Sequence, residues 1–322
     1  MLCGSVAAQG ARTASSLPAA AQSGAGAERP FKLEALSPEF WSIFDPHAQL
    51  SPFATGLGFT EGPVWDPAGF VWISDESENR IVKAYSDGRW ETMVSLVDPD
   101  GSTYDEQHRL LSTASGLRSI IRLSSDGKSF IVVVNSFHGK KLNTPNDIVM
   151  GPDGAIYFTD PTIDMTPAQK QDQELPPSVY RLDQHHTLTL LTDQIKAPNG
   201  LAFSPNGKYL YIDDDMQRNI LRYRFKHGTI SHKIVFGDMT SQTEPGVPDG
   251  MKVDRKGHLF VSGPGGIWVW NKKGAHIGTI QMPKRMANLT WGGPNLSTLF
   301  IAAAGTVYTL PTKTHGVLGY LH

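Results

Sequence analysis

Gly151-Pro152-Asp153-Gly154-Ala155-Ile156-Tyr157-Phe158-Thr159-Asp160 reads as a tight turn feeding an apolar, aromatic strand. Pro presets one turn dihedral and Gly tolerates positive φ, so the first four residues reverse the chain. The same pattern recurs as Asp66-Pro67-Ala68-Gly69-Phe70-Val71-Trp72-Ile73-Ser74-Asp75 and as Asp254-Arg255-Lys256-Gly257-His258-Leu259-Phe260-Val261-Ser262. Ser204-Pro205-Asn206-Gly207-Lys208-Tyr209-Leu210-Tyr211-Ile212-Asp213 carries one extra residue in its turn. Two weaker copies span 105–113, around Leu111, and 293–302, around Phe300. The six anchors Trp72, Leu111, Tyr157, Tyr211, Phe260 and Phe300 lie 39 to 54 residues apart. That interval matches a four-stranded propeller blade, roughly 40–50 residues.

Each anchor is followed by a second strand-like run. These are Ile81–Tyr85, Ile120–Leu123, Val179–Leu182, Ile220–Tyr223, Ile267–Trp270 and Val307–Leu310. Each reads as the third strand of its blade, with alternating Trp268 and Trp270 as packing residues. The expected fold is therefore all-β, a six-bladed β-propeller; a β-sandwich would need six in-phase copies to arise by chance. The expected organisation is a disordered tail or signal-like segment over 1–29, a lead-in over 30–52 with a helical turn at Pro38–Trp41, and a propeller catalytic domain over 53–322.

Composition narrows the partners. Lys+Arg total 29 and Asp+Glu 31 in 322 residues, a formal net charge of −2, so no basic field exists for nucleic acid. Hydrophobic residues make up 39%, enough for a core. No apolar run approaches the roughly 18 residues of a membrane span, so a membrane partner is not expected. The lone cysteine, Cys3, excludes a disulfide framework and a cysteine-based metal site. The 1–29 segment has small-residue cleavage-like sites but lacks the basic and apolar regions of a signal peptide. Localisation is periplasmic or secreted if that segment directs export, and otherwise cytoplasmic. The expected assembly is a monomer or weak dimer.

The repeat phase makes a sharper statement. Eleven residues before the anchors of blades one, two, three and five stand Glu61, Asp100, Asn146 and Asp249. Twelve before those of blades four and six, which have the longer turns, stand Asn199 and Asn288. In a propeller this point begins the innermost strand, so six oxygen-bearing side chains converge on one mouth of the channel. Oxygen donors without His or Cys suit a hard divalent cation, calcium before magnesium. Glu61 and Asp249 would balance its charge, with Asn146 and Asn199 as neutral donors. The competing reading is that these residues cap strand ends and hold channel water. Asp213-Asp214-Asp215 either helps hold a second cation or ends its strand.

The chain resembles the SMP-30/gluconolactonase (regucalcin-like) family, closest to its bacterial gluconolactonase-like branch. The resemblance is carried by Glu61-Gly62-Pro63-Val64-Trp65, Gly139 to Asp147, Ile156 to Pro161, Ala197 to Pro205, Pro248 to Asp254 and Ala287 to Gly293, and it covers about residues 50–310. It implies a metal-dependent lactonase acting on a small-molecule lactone, with one divalent ion, usually calcium, zinc and manganese being accepted as well. The family's ligands fall on Glu61, Asn146, Asn199 and Asp249, and its proposed acid–base residue falls on Asp249. Departures from relatives occur at Asp98-Pro99-Asp100-Gly101, at Ala114-Ser115 and at Thr162-Ile163-Asp164-Met165, which put sugar-lactone specificity in question.

Chemistry assigns roles to these residues. A cation polarises the ester carbonyl. Asn146 and Asn199, bound to it through oxygen, would turn their N–H groups toward substrate. Asp249 is either the general base or only a ligand, since a bound cation favours its ionised form. In the second case Asp100, or the ion itself, would activate the water. The catalytic candidates are thus Asp249, Asn146 and Glu61, and the substrate-binding candidates are Asp100, Ser115, His138 and Met165. His138 is equally readable as a solvated loop histidine. No Gly-x-Ser-x-Gly nucleophile elbow occurs. Two other functions stay open: organophosphate hydrolysis at the same ion, and a non-catalytic binding propeller.

Overall fold

A computed structural model describes residues 29–240 and 244–319. Expectations for Cys3 and for the segment before Arg29 lie outside the described residues. Six antiparallel sheets, five of four strands and one of five, are arranged as the blades of a propeller. The innermost strands are Thr60–Asp66, Pro99–Tyr104, Ile148–Met150, Pro198–Phe203, Met251–Val253 and Met286–Gly292. Consecutive inner strands touch, and the last touches the first, so the ring is closed. Every sequence anchor lies on the second strand of its blade and every following apolar run on the third.

The blades form because their strands are apolar on both faces. Leu259–Gly263 and Gly266–Trp270 are buried throughout, as a strand between two packed blades must be. Six buried clusters result, one between each pair of neighbouring blades. Trp72 illustrates the stitching: its indole donates to the Tyr104 hydroxyl at 2.6 Å, and that hydroxyl in turn donates to Asp66. Trp268 and Trp270 are both buried between blades four and five.

The segment expected as a lead-in is woven into the sheets. Lys32–Ala35 adds a fifth, outermost strand to blade five by pairing with His276–Gln281. A 3-10 turn, Pro38–Ser42, buries Phe40 against blades five and six. Ser51–Thr55 then supplies the outer strand of blade six, pairing with Thr306–Pro311. The ring is thus closed by a strand from the beginning of the chain, and the expected boundary at 53 falls inside it.

The two ends of the channel differ. At the far end, a cavity of about 210 Å³ is lined by inner-strand residues including Val64, Ser102, Met150 and Lys252. The C-terminal residues Val317, Leu318 and Gly319 cover it, held by a bridge between Gly316 and Asp254. A larger surface cavity of about 360 Å³, around Trp65, Arg255 and His315, lies among the far-end turns and contains no ring residue. Among the described residues no helix is long and apolar enough to cross a membrane.

Candidate functional site

The six counted residues sit at the near mouth, at or just before the start of each inner strand. Backbone contacts bring them together. The carbonyl of Asp100 lies 2.1 Å from where a Cβ on Gly62 would stand, and Gly62 has φ +49. Likewise the Asp249 carbonyl lies 2.0 Å from a Cβ position on Gly200. The Gly following Glu61 and the Gly following Asn199 are therefore required for adjacent blades to approach this closely.

Hydroxyls on the second strands tie the ring from below. Ser74 Oγ donates to the Asp100 carbonyl at 2.6 Å, and Thr113 Oγ1 donates to the Asn146 carbonyl at 2.6 Å. Ser262 Oγ donates to the Ala287 carbonyl, next to Asn288, at 2.7 Å. Each stands two residues after its anchor, a periodicity present in the sequence.

The side chains divide into partners and donors. Glu61 Oε2 accepts from Gly62 N at 2.8 Å and from Asn288 Nδ2 at 3.0 Å, so Oε1 is left for other use. Lys252 Nζ donates to Asn288 Oδ1 at 3.2 Å, which fixes the sense of that carboxamide. Asn146 Nδ2 donates to Asp100 Oδ2 at 2.7 Å and to Asp164 Oδ2 at 3.3 Å, which turns Asn146 Oδ1 away from both. Asn199 Oδ1 is buried and has no hydrogen-bond partner among the described residues. Leaving such an acceptor unpaired costs on the order of 1–3 kcal/mol, so a donor or cation there is physically favoured. Asp249 is half-buried beside it.

The electrostatics suit a cation. Burial pushes Glu61 up to about 7, with Asp147 adding to the shift and its hydrogen bonds opposing it. Burial first, then Glu61 and other carboxylates, drive Asp100 well above the usual carboxylate range. Asp249 is raised by burial, Glu61 and Asp213, against the lowering effect of Arg285. A divalent ion among these oxygens would reverse every one of these shifts. Among the described residues, no three His, Cys, Asp or Glu side chains form a metal-binding group on their own. The donor set therefore depends on its carboxamides, Asn146 and Asn199.

The expected substrate contacts take the following places. Asp100 is buried and orients Asn146. Ser115 is buried and its hydroxyl donates to the Pro145 carbonyl at 2.6 Å, which ties it to the loop that carries Asn146. His138 is exposed at the tip of a hairpin, with φ +50 and its ring against Phe137, so the solvated-loop reading fits it. Met165 is buried. The amide protons of Asn146, expected on substrate, are committed to Asp100 and Asp164.

The rim is taken by residues outside the candidate site set: Asp98, Asp164 and Asp215, from segments noted in the sequence, and Glu76 and Arg285, which were not noted. Asp164 keeps solvent contact, yet the protein around it and Asp98 push it up to about 6. The solvent reaching it discounts the desolvation share of that shift. Glu76 and Asp98 act on each other electrostatically, and burial and then Asp98 raise Glu76 well above its ordinary range. Asp215 is raised to about 6 by burial, with Arg285 opposing. Arg285, over the Phe59 ring at 5.5 Å, is the cation acting on Asp164, Asp215 and Asp249. The three aspartates 213–215 do not share one role: Asp213 accepts from Gly200 N at 3.0 Å, Asp214 accepts from Lys196 N and Ala197 N, and Asp215 faces Arg285.

The family model described as SMP-30/Gluconolactonase/LRE-like region matches residues 59–305. A gluconolactonase from Zymomonas mobilis is 30% identical over 317 residues, covering 88% of this chain and 87% of that protein. Pentonolactonase XacC from Haloferax volcanii is 25% identical over 258 residues, covering 78% of this chain and 83% of that protein. Among solved structures, a gluconolactonase from Xanthomonas campestris superposes with a TM-score of 0.79 at 28% identity, covering 90% of this chain and 99% of that one.

Proposed function

The chain belongs to the SMP-30/gluconolactonase/LRE-like family, and from that premise we propose that it hydrolyses lactones at the near mouth of its channel. The first substrates to consider are sugar lactones of the gluconolactone type, and the first cofactor is one calcium ion. The observation that carries the reading is the buried, unpartnered Asn199 Oδ1 in a ring with Glu61, Asn146 and Asp249. Two carboxylates and two carboxamide oxygens match the hard-oxygen preference of calcium.

Glu61, Asn146, Asn199 and Asp249 would hold the ion, which would supply positive charge to polarise the ester carbonyl. Asp249 accepts the proton of the water that attacks the carbonyl carbon. The ring C–O bond then breaks, Asp249 returns that proton to the departing ring oxygen, and a hydroxy acid leaves. Asp100 and Asp164 keep Asn146 turned so that its oxygen, not its amide nitrogen, is presented. Asn288, held by Lys252, performs the same service for Glu61. Arg285 opposes the rise that burial, Glu61 and Asp213 impose on Asp249, and a bound divalent ion would further favour the ionised carboxylate that accepts a proton. The rim carboxylates Asp98, Asp164 and Asp215 can accept hydrogen bonds from hydroxyl substituents of a sugar lactone.

The test is acid release from glucono-δ-lactone, other aldonolactones and apolar γ- and δ-lactones, with chelated and calcium-loaded protein side by side. Calcium-dependent turnover with aldonolactones preferred is expected. No turnover of any lactone by calcium-loaded protein refutes the activity, and turnover indifferent to chelation refutes the ion.

A further inference from the structure

A second in-phase position runs through the blades, three residues after each anchor. It is occupied by Asp75, Ala114, Asp160, Asp214, Gly263 and Ala303. The three aspartates are buried at the last residue of the second strand of blades one, three and four. These are the blades that deliver Glu61, Asn146 and Asn199.

Each aspartate makes the same bond. Asp75 Oδ1 accepts from Gly58 N at 2.9 Å, Asp160 Oδ2 from Asn143 N at 2.9 Å, and Asp214 Oδ2 from Lys196 N at 3.1 Å. Gly58, Asn143 and Lys196 each stand three residues before the ring residue of their blade. Asp214 adds a second bond, from Ala197 N to Oδ1 at 3.2 Å. Gly58 is held so closely that a Cβ there would lie 2.8 Å from Asp75 Oδ1. The remaining carboxylate capacity is braced differently in each blade. Arg80 donates to Asp75 Oδ2 through Nε at 2.9 Å and Nη2 at 2.7 Å, and Arg118 acts on Asp160 electrostatically.

The other three blades supply an internal control. Blades two and six close their sheets with Ala114 and Ala303 at this position, and blade five with Gly263. The blade therefore does not need an acceptor there to form. The acceptor coincides with three of the four residues proposed above to hold the ion.

We propose that Asp75, Asp160 and Asp214 are positioning residues for the ion site, each clamping the loop that presents one ligand by accepting the amide N–H three residues upstream of it. This role rests on the proposed ion reading. Partners that orient metal ligands without touching the metal typically contribute about ten- to a hundredfold in affinity. Asp249 differs from the other three ligands: its blade carries Gly263 and provides no clamp, which sets the residue proposed to move a proton apart from those proposed only to hold the ion.

The experiment compares wild type with Asp160→Ala, Asp160→Asn and Asp214→Ala by calcium titration calorimetry and, without added metal, by hydrogen exchange of peptides spanning 56–62, 141–147 and 194–200. Asp160→Ala should weaken calcium binding about ten- to a hundredfold and speed exchange in 141–147 alone. Asp160→Asn keeps an acceptor oxygen and should stay within about threefold of wild type by the same reasoning. Asp214→Ala should move exchange to 194–200, and it serves if Asp160→Ala does not fold. Wild-type protein that takes up no calcium refutes the ion reading and this role with it. Wild type that binds, with the alanine variants binding equally well, refutes the positioning role alone.

Discussion

The acidic mouth predicts an inverted response of stability to acid when no divalent ion is present. Glu61 is raised from its ordinary 4.5 to about 7, and Asp160 from 3.8 to about 8, burial being the first cause for both. Between pH 5 and 7 the native protein therefore holds protons that the unfolded chain has released. Stability must then fall as pH rises through this window and increase as pH drops. Each such group contributes about 1.4 kcal/mol per pH unit, so two groups over two units give about 5 kcal/mol. Half of that figure, at about 2 °C per kcal/mol for a chain of this size, moves Tm by about 5 °C. His258, raised by the neighbouring Asp254 and Glu39 against burial, acts with the same sign but only above its ordinary 6.5. Groups with lowered values, such as Glu39, lose their contribution only below about 4.5. The interval from pH 6 to 5 thus reports the raised carboxylates. The assay is thermal unfolding followed by circular dichroism in EDTA, at pH 7, 6 and 5. We expect Tm to rise by at least about 5 °C as pH falls. Saturating calcium should remove the Glu61 share of that rise, because protons then compete with the ion for Glu61, and leave the Asp160 share. Glu61→Gln should reduce the slope in EDTA. A Tm that is flat or falls from pH 7 to 5 in EDTA refutes the argument that these carboxylates carry the electrostatic load of the mouth.

Three further outcomes follow from named contacts. Asp249→Asn should lower kcat on lactones by about a hundredfold or more, as expected for a general base; near-normal kcat in the calcium-loaded variant would remove Asp249 from proton transfer. Gly62→Ala should destabilise by about 2–5 kcal/mol, from a left-handed backbone and an overlap with the Asp100 carbonyl. A Tm within 2 °C of wild type, on a scale of about 2 °C per kcal/mol, would mean that the blades do not meet as tightly as described. Ser115→Ala removes the buried bond to Pro145 and should cost about 1 kcal/mol of stability with lactone KM unchanged; a rise in KM of more than about threefold, some 0.7 kcal/mol, would put the hydroxyl back on substrate.

The fold was legible because repetition fixes phase. One turn-and-strand pattern, centred on Tyr157, recurs with spacing that only a blade explains, and a third strand follows each anchor, seven to nine residues on in five blades and 22 in blade three. The closing strand Ser51–Thr55 was not legible by that route. It belongs to blade six but is separated from it by almost the whole chain, and its pairing with Thr306–Pro311 leaves no local periodic signal. Lys32–Ala35 escaped for the same reason, as a fifth strand added to a sheet already complete by count.

The site was legible to the depth that phase reaches. The ring positions emerged from counting because every blade presents the entry of its inner strand to one axis. The candidate substrate contacts were chosen instead by adjacency to unusual sequence, a signal that says nothing of where a side chain points. Ser115 lies within the expected mouth, but the Pro145 carbonyl stands where its hydroxyl points, a fact of loop geometry. His138 is eight residues from Asn146 in sequence, yet the hairpin Ser136–Phe137 with Lys140–Lys141 carries it out to solvent. The rim residues were nevertheless accessible to the same counting. Glu76 and Asp215 each stand four residues after an anchor, and Arg285 stands three before Asn288. Extending the phase from one position to its neighbours finds the rim, the hydroxyl ties and the aspartate clamps together. A repeat therefore specifies more than the fold: each offset from the anchor points to one place around the mouth, and the residue type that varies between blades at that offset is where one function was distributed unequally over six equivalent frames.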